Sequence, residues 1–188
     1  MPQAMTRTDI GGPLLALARG AIARELGSAN ATEPIPPDLA QVGATFVTLR
    51  SDGDLRGCIG TVDAWRPLAD DVRANAVAAA FRDPRFPPLR RDELGQVTIE
   101  VSVLNPSEPV PSGREASLAA TLRPEIDGVV LECARHRATF LPQVWEQLPH
   151  PRDFLRALKR KAGLPEDFWS DDVRVLRYTV EKFVEGMP

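Results

Sequence analysis

The sequence predicts an α+β fold with a largely antiparallel sheet flanked by helices. Three observations predict it. Helical and strand-like segments run helix, strand, strand, helix, then strands, helix and strand, with hairpins and few strand–helix–strand units. Residues 96–104, QVTIEVSVL, alternate cleanly, with Val97, Ile99, Val101 and Val103 against Thr98, Glu100 and Ser102. Asp52-Gly53, a tight-turn pair, separates two strand-like runs.

In chain order, residues 13–26 form a helix. Leu14, Leu15, Leu17, Ala18, Ala21, Ile22 and Leu26 give its apolar stripe, Pro13 suits the first turn and Gly27 the stop. SANATEPIPPD is a proline-rich connector. Residues 44–50, ATFVTLR, are a β-branched and aromatic strand, and 55–62, LRGCIGTV, return as the second arm of a hairpin. Gly57 and Gly60 weaken a plain strand and mark a bulge or a close backbone approach. An alanine-rich helix covers 67–82, and DPRFPPLRRDEL ends it as an ordered loop over 83–94. After the 96–104 strand, NPSEPVPSGRE reads as a connector. Residues 128–133 and 138–141 make a second hairpin about a turn at 134–137. Residues 142–148 form a short helical turn, 152–162 a helix stopped by Gly163, and 173–183 one last strand. Tyr178, Trp65, Trp145 and Trp169 are expected in core or interlobe packing.

The composition is that of a soluble globular protein: 188 residues, 43% hydrophobic, 26% charged, net charge −3. That balance gives no global basic field for nucleic acid. No apolar run approaches the ~18 residues of a membrane span, and MPQAMTRTDIGGP has no apolar signal core, so the expected location is cytoplasmic. Two cysteines are too few for a disulfide scaffold. The 18 prolines stand singly or in pairs between periodic segments, as punctuation rather than a disordered tract. Arginine outnumbers lysine 20 to 3, the mark of a GC-rich genome, with local anion recognition as the alternative.

There is no GxSxG elbow, no GxxxxGK phosphate loop and no GxGxxG. Cys133-x-x-His136 has ligand-like spacing but lacks companions, so no metal and no cofactor are expected. The sharpest feature is LRGCIG. In an extended strand Leu55 and Ile59 face the core, and Arg56, Cys58 and Gly60 share the other face. An arginine beside a thiol favours the reactive thiolate, and Gly57 and Gly60 would let a substrate reach the backbone. The alternative is a small buried hydrophobe between two glycines. Glu100, mid-strand, either faces water or pairs with Arg56, Arg82 or Arg85. Asp83, Arg85 and Phe86, set between prolines, form a rigid charged loop of the kind that lines sites or merely packs. Asp83 or Arg85 is expected within one side-chain length of the Arg56–Cys58 strand.

LRGCIGT at 55–61, DPRFPPL at 83–89 with DEL at 92–94, EVSVLNP at 100–106, FLPQV at 140–144 and KAGL at 161–164 together resemble the AMMECR family. Its microbial members are protein A of the AmmeMemoRadiSam system. The resemblance covers about residues 14–183. It implies one AMMECR-type domain with a larger and a smaller lobe, the hallmark motif near the cleft between them. It also implies Memo-like and radical S-adenosylmethionine proteins as partners. Many microbial relatives carry a cysteine where this chain has Lys159, so a dithiol mechanism pairing it with Cys58 does not carry over.

The leading expectation is an enzyme or enzyme component acting on a small molecule or a modified macromolecule. Cys58 would be nucleophile or covalent anchor and Glu100 a general acid/base or a group orienting Arg56. Arg56, Gly57, Gly60, Asp83 and Arg85 would bind substrate. The rival is a non-catalytic adapter docking a partner enzyme through the LRGCIG and DPRF surface. RNA binding is the weakest reading, given a pI of about 5.5 and no aromatic-plus-basic strands.

Overall fold

A computed structural model of the chain describes residues 10–28, 35–111 and 113–186. Its elements are α1 (Gly11–Glu25), β1 (Val42–Gly43), β2 (Thr45–Ser51), β3 (Asp54–Gly60), β4 (Arg66–Pro67), α2 (Leu68–Phe81), β5 (Val97–Leu104), β6 (Glu108–Val110), α3 (Glu115–Thr121), β7 (Gly128–Cys133), β8 (His136–Phe140), α4 (Pro151–Lys161), β9 (Arg174–Tyr178) and β10 (Val180–Val184). Short 3₁₀ turns lie at Pro37–Ala40 and Pro142–Glu146. The fold is α+β. The strand pairs β1–β4, β2–β3, β2–β5, β6–β9, β7–β8 and β7–β9 are all antiparallel. No described helix is long and apolar enough to cross a membrane.

The chain divides into two units, Met1–Leu104 with Glu181–Pro188, and Asn105–Val180. The first holds the sheet β10-β5-β2-β3. Val47 and Leu49 of β2 and Ile99, Val101 and Val103 of β5 pack against Leu14, Leu17, Ala18 and Ile22 of α1 and Val72, Ala76, Ala79 and Ala80 of α2. Both helices therefore cover one sheet face, and the polar half of each alternating strand goes to the other. Asp52 (φ 51) and Gly53 (φ 88) close the β2–β3 hairpin, the two left-handed residues a two-residue turn requires. The second unit holds the sheet β6-β9-β7-β8. Its core includes Leu118, Val129, Leu131, Trp145, Phe154, Leu155, Leu158 and Val175. Trp145 stacks on Phe154 at 3.7 Å between ring centroids, and its indole N–H donates to the Asp127 carbonyl at 2.7 Å.

Several expectations need correction. The 173–183 segment is two strands: β9 joins the second sheet and β10 the first, divided at Thr179, whose carbonyl accepts the Asn105 N–H. The connector expected at 105–115 contains β6 and the start of α3; β6 is only three residues, too short for a period to show. Arg66 and Pro67 precede the helix as β4, because they pair with Gly43 and Val42. The second hairpin turns tightly at Ala134 and Arg135 rather than over 134–137. Trp65, expected in the core, is 68% exposed and carries the Arg66 guanidinium over its ring at 4.8 Å. Of the connector after α1, residues 29–34 lie outside the described residues.

Candidate functional site

β3 carries LRGCIG and is the edge strand of its sheet. Its register against β2 shifts once: Leu49 faces Gly57 but Arg50 faces Leu55, leaving Arg56 as a bulge. Strict alternation therefore fails at Arg56. Leu55 stands opposite Arg50 and is 37% exposed instead of core. The two glycines serve packing. A Cβ on Gly57 would lie 2.2 Å from the Ala79 carbonyl oxygen, so α2 rests directly on the β3 backbone. A Cβ on Gly60 would lie 2.1 Å from the Phe46 ring. The room expected to admit a substrate at Gly57 and Gly60 is filled by the protein itself.

The Cys58 peptide faces away from β2. Thr61 N–H donates to Thr45 O, so by antiparallel alternation Cys58–Thr48 is a non-hydrogen-bonded pair. Its outward N–H donates to Asp83 Oδ2 at 2.9 Å, and Arg85 Nη2 donates to its carbonyl at 3.3 Å. Asp83 and Arg85 are themselves joined in a fork, Nε to Oδ1 at 2.9 Å and Nη2 to Oδ2 at 2.7 Å. One acceptor and one donor from the loop thus replace the peptide of an absent neighbouring strand. This also places the loop beside the motif as expected. Asp83 is buried. The Arg85 guanidinium, aided by the backbone N–H groups of Cys58 and Arg85, holds its carboxyl well below the usual carboxylate range against the cost of burial. Arg85 is correspondingly raised, first by its hydrogen bonds to Asp83.

The thiol of Cys58 is half-buried and unbridged. Thr48 Oγ1 donates to its sulfur at 3.4 Å, because side chains approach closely in a non-hydrogen-bonded pair. Thr48 also stands opposite Glu100, so Cys58, Thr48 and Glu100 form one row across β3, β2 and β5. Glu100 meets none of the arginines expected for it. Its Oε1 accepts from Arg50 Nε and its Oε2 pairs with Lys182 Nζ, each at 2.7 Å. Arg56 likewise turns to Glu93, Nε to Oε1 at 3.1 Å and Nη2 to Oε2 at 3.3 Å, and this pair lowers the Glu93 carboxyl. Arg56 Nη1 is buried without a partner. The guanidinium serving Cys58 is Arg85, not Arg56.

A polar cluster that sequence reasoning missed lies under the start of α2. Asp71, fully buried, accepts at Oδ2 from Thr45 N, Thr45 Oγ1 and Asn75 Nδ2, and at Oδ1 from Arg66 Nε. Asn75 Nδ2 also reaches Thr61 Oγ1 at 3.1 Å. The signal was available: Asp71 and Asn75 are four apart on the helix face that carries Val72, Ala76 and Ala79. Thr48, Arg50 and Lys182 were missed because strand pairing, not spacing, brings them together.

Within the second unit, Cys133 Sγ lies 4.0 Å from Ser170 Oγ and His136 Nδ1 2.9 Å from the Ala162 carbonyl. No cluster of three or more His, Cys, Asp or Glu suited to a metal occurs among the described residues. Lys159 is buried, its ammonium 2.8 Å from Glu115 and 3.2 Å from the Phe168 carbonyl.

Comparison with known proteins adds a lineage to this geometry. The AMMECR1 family model matches residues 15–183. A protein of Methanothermobacter thermautotrophicus is 38% identical over 194 residues, covering 98% of this chain and 99% of the relative. One from Thermotoga maritima is 44% identical over 154 residues, 80% of this chain and 83% of its own. The crystal structure of protein PH0010 from Pyrococcus horikoshii superposes with a TM-score of 0.85 at 34% identity, over 96% of this chain and 93% of that one. A match of that extent, running through LRGCIG, the DPRF loop and both units, settles the lineage: the chain belongs to the AMMECR1 family.

Proposed function

We propose that the protein is a cytoplasmic enzyme or enzyme component of AmmeMemoRadiSam type. It works with Memo-like and radical S-adenosylmethionine proteins on a small molecule or a modified macromolecule. Cys58 is its nucleophile or covalent anchor, and Glu100 is an electrostatic support fixed by Arg50 and Lys182. The observation that carries this reading is the treatment of Cys58. An unbridged, half-buried thiol accepts a hydroxyl hydrogen bond, while a carboxylate and a guanidinium grip both ends of its own peptide. A merely space-filling cysteine needs none of these.

Alkylation with iodoacetamide at neutral pH, read by peptide mass spectrometry, tests it. Cys58 is expected to react faster than buried Cys133 and faster than free cysteine. Arg85→Met should slow Cys58, since it removes the guanidinium bonded to that residue. Arg56→Met should leave the rate nearly unchanged, since its guanidinium is held by Glu93. Cys58→Ser should fold. Slow labelling in the folded chain together with a destabilised Cys58→Ser protein would overturn the nucleophile. The adapter reading would then stand, supported by the engagement of both carboxylate oxygens of Asp83 and of Glu100, which leaves a pre-shaped surface.

A further inference from the structure

The sheet face that carries Cys58 is not electrically neutral. Arg50 and Lys182 both reach Glu100, so this cluster has one cation in excess. Glu100 is 10% exposed at its side chain, whereas Arg50 is 39% and Lys182 48% exposed. The carboxylate is buried beneath two cations that still meet water. Neither cation is used up. The guanidinium spends Nε on Glu100 and Nη1 on the Gly53 carbonyl, leaving Nη2 free, and the ammonium has three donors. The other charges nearby are balanced or turned aside. Arg85 is matched by Asp83 and Arg56 by Glu93. Asp54 stands opposite Ser51, on the helix-facing parity of the strands, and Asp52 lies in the turn. Cys58 and Glu100 are two strand spacings apart in one row, roughly 10 Å.

We infer that the substrate of this site is anionic: a molecule whose carboxylate or phosphate is held at Arg50 and Lys182 while its reacting atom meets the Cys58 thiol. This rests on the reading of Cys58 as a reactive thiol and adds the substrate class to it. An anion placed there gains the free donors of two cations already oriented by a buried carboxylate, so little side-chain freedom is lost on binding. The span fixes a size as well, with about 10 Å between the anionic group and the reacting atom.

Two alkylating reagents of similar size and opposite requirement test it on the intact protein. Iodoacetate is anionic and iodoacetamide neutral. At low ionic strength the ratio of their rates at Cys58 is expected to exceed the ratio for free cysteine by roughly two- to tenfold, the effect of one excess charge at this distance. Added salt should bring the two ratios together. Lys182→Met keeps the Arg50–Glu100 pair and removes the excess charge. It should lower the iodoacetate rate more than the iodoacetamide rate, bringing their ratio toward that of free cysteine. The wild-type ratio and its salt dependence need no variant, so a folding defect does not disable the test. Fast iodoacetamide labelling with a ratio equal to that of free cysteine would overturn the anionic substrate and leave the nucleophile standing. Slow labelling by both reagents would overturn the nucleophile and this inference with it.

Discussion

At the level of single residues, Gly57 and Gly60 differ in what their missing side chains make room for. Gly57 faces the backbone carbonyl of Ala79, which cannot move without lifting α2 from the sheet. Gly60 faces the Phe46 ring, a half-buried side chain rather than backbone. Gly57→Ala is therefore expected to cost about 2–3 kcal/mol and Gly60→Ala clearly less, on the scale of overpacked cores. Denaturant unfolding of the two variants checks this, and the reverse order would refute the account. Asp83 supplies a pH signature. Its carboxyl lies well below the usual range in the folded chain, first through Arg85. Its stabilising contribution is complete above the unfolded value near pH ~4 and is lost as pH falls from there toward the folded value. Asp83→Asn should flatten the acid side of the stability curve, and an acid limb identical to wild type would contradict it. The glycines of LRGCIG were legible in the sequence as a bulge or a close approach. What approaches them was not, because Ala79 and Phe46 are brought there by packing.

The elements show where periodicity carries information and where it stops. β5 was legible almost to its ends, since Val97, Ile99, Val101 and Val103 bury one face and its polar residues take the other. β3 was legible as a strand but not in its facing, because the bulge at Arg56 depends on how β2 pairs with it. α2 was read as an alanine stripe, yet its first turns hold a buried carboxylate with four hydrogen bonds. Asp71 ties α2 to β2 through Thr45 and to β4 through Arg66. Asp71→Ala is expected to destabilise by about 3–5 kcal/mol, because it leaves Arg66 and the Thr45 N–H without their buried acceptor. In the double variant with Arg66→Met, the cost should fall short of the sum of the two single costs, since both remove the same ion pair. Thermal or denaturant unfolding of the three proteins decides it; strict additivity would mean that the pair is not coupled.

Across the whole molecule, the class of fold was legible and the threading was not. Residues 173–183 alternate as one strand, but the chain changes sheets at Thr179, whose carbonyl and hydroxyl accept from the backbone and side chain of Asn105. No period within either segment announces a bond between residues so far apart. The same limit hid the loop's grip on Cys58, and that grip bears on how copies of the protein behave toward one another. A sheet ends where a strand has no neighbour, and an uncovered edge is a template on which another chain can add. Here the outward peptide of Cys58 on β3 is answered by the Asp83 carboxylate and the Arg85 guanidinium, so that stretch of the edge is not open to another strand. Asp83→Ala opens that edge. It is expected to self-associate in concentrated solution, seen as light scattering that rises with concentration, whereas wild-type protein scatters as a constant species. Equal scattering from both would show that the edge is protected by something else. On this account the DPRF loop, whatever it contributes to chemistry, is also what keeps the protein from polymerising through its own most distinctive strand.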